Sequence, residues 1–217
     1  HRLWKKEMVA AIPHYQRTSL LDLAGGTGDI GFRFLESHTQ KFSNPDTKNN
    51  PTQTVGLTIC DINAAMLSEG KKRALNLNIT HPIEWVCGNA EKLPMDDNRY
   101  DACTIAFGIR NVTRMEDCLS EIYRVLRPGG RFLCLEFSHI PEAGLQKLYD
   151  LYSFNVIPKM GKMIAGDADS YQYLVESIRK FPPMPAFEQM IRQAGFANTK
   201  VEPIMGGLVA IHSGWKI

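Results

Sequence analysis

The stretch Leu20-Leu21-Asp22-Leu23-Ala24-Gly25-Gly26-Thr27-Gly28-Asp29 joins an apolar run to the start of a helical pattern. Glycines at such a junction let the backbone approach a ligand with no Cβ in the way. In an open α/β sheet the junction faces the crevice where ligands bind. Gly26, Gly28 and Gly31 also match the dinucleotide spacing G-x-G-x-x-G, a weak signal when taken alone. Two acids point elsewhere. Asp22 is placed to hold the loop or, through water, an ammonium group. Asp29 stands near the helix N-terminus, where a pyrophosphate would otherwise lie. A carboxylate there repels phosphate and suits a ligand carrying an ammonium and a sulfonium. Asp61 closes a second apolar run, where it accepts hydrogen bonds from ribose hydroxyls, caps a helix, or does both. Asn89-Ala90 follows a third run and offers donors and acceptors to an adenine edge; an ordinary turn is the plainer account.

Those loops need strands to carry them. Apolar runs at 19–24, 55–60, 83–87, 100–107 and 131–137 read as strands. Helical patterns fall between them, at 30–35, around 65–75 and at 116–126, the last stopped by Pro128-Gly129-Gly130. Strand–helix alternation argues for a parallel sheet covered by helices on both faces. Residues 170–180 and 186–194 read as further helices. Runs at 199–204 and 208–212, around Met205-Gly206-Gly207, read as a hairpin. The expected fold is therefore α/β, with a seven-stranded, mostly parallel sheet and a C-terminal antiparallel hairpin, a layout that resembles the Rossmann-like class I S-adenosylmethionine methyltransferases. A single domain over residues 1–217 is expected, with residues 38–54, rich in Asn, Thr and Pro, as a polar surface insertion. That insertion accounts for the long separation between the glycine loop and Asp61.

Composition narrows the function classes. Apolar residues make up 44% and charged residues 22%, an ordinary globular mix. A net charge of +2 gives no support to a nucleic-acid partner. The five cysteines form no C-x-x-C and have no histidine cluster beside them, so no metal site is expected. Cys60, Cys103 and Cys134 fall in apolar runs, as buried thiols of a reducing compartment do. No apolar run reaches the roughly 18 residues of a membrane span. The sequence starts at His1, which reads as a fragment or processed form whose upstream segment could carry a targeting signal.

Several longer stretches resemble one family closely. They are His1-Arg-Leu-Trp-Lys5, the loop 22–29, Asp61-Ile-Asn63, Asn89-Ala-Glu-x-Leu-Pro94 and Phe107-Gly-Ile-Arg-Asn-Val112. They continue with Tyr123-Arg-Val-Leu-Arg-Pro-Gly-Gly130, Leu135-Glu-Phe-Ser138, Tyr152-Ser-Phe-x-Val156, Asp167-Ala-Asp-Ser-Tyr171 and Tyr173-Leu-x-Glu-Ser-Ile178. In order and nearly throughout, they are similar to the ubiquinone/menaquinone-biosynthesis C-methyltransferases. The glycine loop and Pro-Gly-Gly are shared by many methyltransferases; the 107–112 and 167–171 stretches are narrower. The polar insertion departs from the bacterial members and resembles the mitochondrial, ubiquinone branch. The resemblance implies S-adenosylmethionine as cofactor, with contacts at Thr27, Asp61, Asn89 and Ala90; the loop residues Asp22, Gly26 and Gly28 join them as cofactor-binding candidates. It implies a further contact at the end of the fourth strand, where Ala106 stands in place of the family's frequent Ser and offers no side-chain hydrogen bond. It also implies a polyprenyl benzoquinol substrate and peripheral association with the matrix side of the mitochondrial inner membrane. A complex of quinone-biosynthesis proteins and a homodimer are further expectations. Residues 142–180 would then be a helical, substrate-covering insertion.

Methyl transfer from a sulfonium is an in-line displacement that needs alignment and a dry site. A ring carbon becomes a good nucleophile when a neighbouring hydroxyl ionises. Arg110, just past the fourth strand, would lower that hydroxyl's pKa, or is a surface or loop-fixing arginine; a guanidinium is itself too basic to take the proton. Asn111 would orient the other ring oxygen. Glu136 is expected to help position substrate, or to be a buried carboxylate tied to backbone or arginine. Tyr152 and Tyr171 are further substrate candidates, His139 a loop histidine, and Asp167, Asp169 and Ser170 a polar cluster that a helix N-cap also explains. Residues 145–164, aromatic and Met-rich, read as a wall for an isoprenoid tail, a core helix, or a lid punctuated by Pro158, Gly161 and Gly166. A dinucleotide oxidoreductase and a non-catalytic scaffold are the competing readings.

Overall fold

The computed structural model describes residues 2–15, 17–42, 55–138 and 168–217. Seven strands form one sheet in the order β3-β2-β1-β4-β5-β7-β6. They are β1 (Ser19–Leu23), β2 (Gly56–Asp61), β3 (Glu84–Cys87), β4 (Tyr100–Ala106), β5 (Leu126–Phe137), β6 (Ala197–Ile204) and β7 (Val209–Trp215). β1 to β5 run parallel, and β7 lies antiparallel between β5 and β6. The helices are α1 (Arg2–Ala10), α2 (Asp29–Phe42), α3 (Ala64–Asn76), α4 (Met115–Val125), α5 (Ala168–Lys180) and α6 (Met184–Gln193).

The apolar runs explain the central strands. Leu20, Leu21 and Leu23 of β1 and Ala102, Cys103 and Ile105 of β4 are all buried, as a parallel sheet covered on both faces requires. One cluster, on Phe34, Leu57, Ile59 and Leu133, packs beneath α1, α2 and α3. The other, on Leu119, Ile122, Phe132, Phe187 and Ile191, packs beneath α4 and α6. The strand cysteines Cys60, Cys103 and Cys134 are buried thiols, Cys118 is a fourth, and Cys87 is exposed. Burial pushes Cys60 and Cys118 up to about 12. Among the described residues no helix is long and apolar enough to cross a membrane.

The sheet order sets where a site can be. β1 has β2 on one side and β4 on the other, so the loops leaving β1 and β4 diverge and open a crevice at their carboxyl ends.

Residues 38–42 of the expected surface insertion are helical instead, because α2 continues to Phe42. His38 is buried there, bonds the Tyr15 carbonyl at 2.9 Å and lies against Phe34 and Phe42, so its polar neighbours occupy only the solvent side. Residues 43–54 lie outside the described residues. α4 ends within one residue of the expected 126, just ahead of Pro128-Gly129-Gly130. The helix ends at Val125, Leu126 is already extended and pairs with Tyr100, and the Pro-Gly-Gly falls inside β5 at an irregularity in its pairing with β4. Finally, α1 has no counterpart among the expected helices. It has nine residues and no capping signal, and it forms because Trp4, Met8 and Val9 share a buried face.

Candidate active site

The glycine loop is built by contacts with the next strand. The Gly25 N–H donates to the Cys60 carbonyl at 3.1 Å, and the Gly26 N–H donates to Asp61 Oδ2 at 2.9 Å. The other Asp61 oxygen accepts the Asn63 N–H at 2.8 Å, so one carboxylate ties the β1 loop to the α3 entrance. Gly26 has φ +52° and Gly28 φ +80°, a region where side chains are strained. A Cβ on Gly28 would lie 2.8 Å from the Phe32 ring. Asn63, two residues on, caps α3 by accepting from Ala65 and Met66.

Asp22 is buried and holds two elements at once. Its carboxyl accepts the Gly31 N–H and the Thr104 hydroxyl, both at 3.0 Å. Of the two roles expected for it, this geometry matches the loop-holding one. Burial raises its pKa from 3.8 to about 7, against the lowering effect of the Gly31 and Thr104 hydrogen bonds and the Lys5 charge. The folded state therefore prefers the protonated acid. That preference stabilises fully below the unfolded value, and the stabilisation is lost as pH rises through about 7. Asp22→Asn does not titrate, so from pH 4.5 to 8 the variant is expected to gain roughly 3 kcal/mol relative to the parent. Urea unfolding at several pH values measures this, and parallel pH profiles would refute it.

Asp29 is not the bare carboxylate expected from the sequence. It receives Lys5 Nζ at 2.9 Å, Arg73 Nη2 at 3.0 Å and Arg33 Nε at 3.4 Å. Burial alone would raise its pKa, but Lys5, Arg73 and Arg33 together hold it well below the usual carboxylate range. With three cations around it, the phosphate-repelling argument no longer separates one cofactor from another. Thr27 contributes its carbonyl, which accepts Arg73 Nη1 at 3.4 Å.

Beyond the strand ends lies a cavity of about 400 Å³, lined among others by Gly26, Asp61, Asn89, Ala90, Phe107 and Asn111. Four of the expected cofactor residues thus line the same cavity as the loop after β4. Asn89 Oδ1 accepts the Glu91 N–H at 2.9 Å, which shapes the turn after β3. Glu91 in turn accepts the Thr113 and Arg114 N–H groups, both at 3.0 Å, and joins this turn to the far side of the cavity. Ala24 (φ +49°) and Phe107 (φ +57°) are non-glycine residues in the left-handed region, one at each strand end flanking the crevice. Such strain persists where surrounding contacts over-determine the backbone. Ala106 is the last residue of β4 and is half-buried.

Arg110 and Glu136 come together. Arg110 Nη1 lies 2.8 Å from Glu136 Oε1 and 2.7 Å from the Phe107 carbonyl. The guanidinium stacks 5.3 Å from the Phe137 ring centroid. The two side chains are 4% and 0% exposed, so this is a buried ion pair. Burial raises the Glu136 pKa, and Arg110 opposes the rise. Of the two readings of Glu136, the geometry matches the buried carboxylate: its contacts are Arg110 and the Phe137 N–H at 2.9 Å. Asn111 Oδ1 accepts the Tyr173 hydroxyl at 3.0 Å, which brings α5 to the cavity rim. Tyr152, His139 and Asp167 lie outside the described residues. Tyr171 falls on the first turn of α5, as do Asp169 and Ser170, with side chains outside those described.

The family model described as the ubiE/COQ5 methyltransferase family matches residues 1–216. The chain belongs to this family. It is 52% identical over its full length to a protein named ubiquinone/menaquinone biosynthesis C-methyltransferase UbiE from Ruegeria sp. (strain TM1040), covering 81% of that protein. It is 49% identical, again over its full length, to the 2-methoxy-6-polyprenyl-1,4-benzoquinol methylase, mitochondrial, of Gallus gallus, covering 76% of it. A solved structure of a SAM dependent methyltransferase from Aquifex aeolicus superposes with TM-score 0.66 over all of this chain and 93% of that one, at 13% identity, a likeness of fold.

This ubiE/COQ5 family member is thus an S-adenosylmethionine-dependent methyltransferase, and the dinucleotide and scaffold readings fall. Its residues fit the cofactor. Gly26 lines the cavity at φ +52°, and a Cβ there would stand 3.2 Å from Met66 Cε, so a side chain would crowd this wall. Sequence reasoning gives no role to Lys5, Arg73, Glu91 or Tyr173. Lys5, Glu91 and Tyr173 stand inside the family-like stretches, but their partners are 22 to 62 positions away. Arg73 carries no local signal at all.

Proposed function

We propose that this protein methylates a ring carbon of a polyprenylated methoxy-benzoquinol in ubiquinone biosynthesis. The observation that carries this reading is the full-length identity of about half with a named mitochondrial benzoquinol methylase. Demethylmenaquinone is the second substrate to test, because the Ruegeria relative is named for both quinones. On the same basis the proposed location is the matrix face of the mitochondrial inner membrane, peripherally bound. There the enzyme would work in a complex with other quinone-biosynthesis proteins, as a homodimer.

The cofactor supplies an electrophilic methyl group. Asp61, Gly26, Asn89 and Ala90 would hold its adenosyl part, with Thr27, Gly28 and Asp22 shaping the loop, and Ala106 bounding the floor without a hydrogen bond. Phe107 and its neighbours wall the cavity and exclude water. Asn111 orients a ring oxygen. The Arg110 charge favours the ring phenolate, but Glu136 balances much of it. Arg110 therefore acts foremost as a positioning residue, holding the Phe107 carbonyl and so the whole 107–112 turn. Tyr152 and Tyr171 complete the proposed substrate side, on the insertion 142–180.

Incubation with isotopically labelled S-adenosylmethionine and a short-tailed methoxy-benzoquinol is expected to place the label on a ring carbon, read by mass spectrometry. Demethylmenaquinol run in parallel is expected to react more slowly. Label found only on oxygen, or no labelled product, would overturn the assignment.

A further inference from the structure

Trp4 and Lys5 are neighbours on α1 and point about 100° apart around it. Each reaches a different part of the site. Lys5 Nζ sits 2.9 Å from Asp29, the first residue of α2 and the direct continuation of the cofactor loop; the two side chains are 14% and 16% exposed. Arg73 of α3 binds the other Asp29 oxygen and the Thr27 carbonyl, so loop, α2, α3 and α1 meet on one carboxylate. Trp4 is 3% exposed and lies 6.3 Å, centroid to centroid, from Phe107. Phe107 lines the cavity and stacks 4.6 Å from Phe137, over which Arg110 lies. The end of α1 is anchored by Arg131, whose Nη1 donates to the Ala11 carbonyl at 2.6 Å. Met8, Val9 and Ile12 are buried beneath it.

We infer that α1 is a coupling element: it links the cofactor loop, through Lys5 and Asp29, to the aromatic wall at Phe107, through Trp4. A helical turn is stiff, so a shift of Lys5 carries Trp4 with it. Filling the cofactor loop fixes Thr27 and Asp29, fixes Lys5 in turn, and tightens α1 against Phe107. By linkage, an occupied ring side strengthens cofactor binding by the same factor. The effect on the ring side rests on the quinol reading above; the effect of the cofactor on α1 does not.

Hydrogen exchange of the whole protein, read by mass spectrometry with and without S-adenosylhomocysteine, tests the link. Saturating ligand is expected to slow exchange of residues 2–10 about tenfold, within the range of ordinary allosteric coupling. In Lys5→Met that response is expected to vanish while the ligand still binds and α1 keeps its ligand-free protection, because its buried face is intact. Lys5→Arg is expected to restore the response. An α1 that ignores the ligand in the parent protein, or responds equally in Lys5→Met, overturns the inference. So does an α1 of Lys5→Met that exchanges freely without ligand, since Lys5 would then be only a docking staple. No quinol enters this experiment, so a protein that methylates no benzoquinol leaves the outcome readable. A second arm, the KM for the quinol, is expected to rise about fivefold in Lys5→Met with kcat little changed.

Discussion

Glu136→Leu is expected to destabilise the fold by about 3–5 kcal/mol, because it removes one partner of a buried ion pair with Arg110. For a protein of this size that lowers Tm by about 10 °C. The loss is expected to reach the active site as well, since the same guanidinium holds the Phe107 carbonyl at 2.7 Å and thereby the turn that carries Asn111. The double variant Arg110→Met/Glu136→Leu should recover much of the stability, as buried pairs exchanged for apolar groups often do. It should not recover turnover, because the turn is no longer held. Calorimetry and single-turnover assays on the two variants check both parts. A Glu136→Leu protein as stable as its parent would show that the pair contributes nothing.

Asp61→Ala should abolish useful cofactor affinity while leaving the fold in place. Its two oxygens hold the Gly26 and Asn63 N–H groups, and its side chain borders the cavity. Loss of charge-assisted hydrogen bonds from loop and ligand together costs about 3 kcal/mol or more, a fall in affinity of roughly 100-fold. Asp61→Asn keeps one acceptor oxygen and should fall between. Titration calorimetry with S-adenosylhomocysteine measures both variants. The thermal stabilisation that the ligand confers on the parent should shrink in step. Affinity within a few-fold of the parent would remove Asp61 from the cofactor site.

Much of this architecture is legible in local pattern. The runs at Leu20–Leu23 and Ala102–Ile105 are short and apolar, and buried parallel strands follow from that alone. Gly26 and Gly28 signal a loop whose backbone can approach a ligand, and both lie at positive φ. What stays hidden depends on contacts between distant segments. Asp29 looks like an isolated acid because Lys5 and Arg73 lie 24 and 44 positions from it. Arg110 and Glu136 are 26 apart, and nothing local tells which of several carboxylates a buried arginine will meet. Pro128-Gly129-Gly130 is legible for the opposite reason. Its signal is local, and it marks the end of α4 to within one residue, with Gly129 at φ +80°.

The placement of β7 bears on how the protein is made. Residues 209–215 fill the gap between β5 and β6 in the sheet, yet they leave the ribosome long after residue 137 has ended β5. At roughly 5–20 residues per second the open edge of β5 waits several seconds for its neighbour. During that interval an apolar strand with unpaired backbone groups faces the crowded exit of the tunnel, an invitation to chaperones and to misassociation alike. A premature stop codon just ahead of residue 209 would therefore remove an interior strand and leave β6 with nothing to pair against.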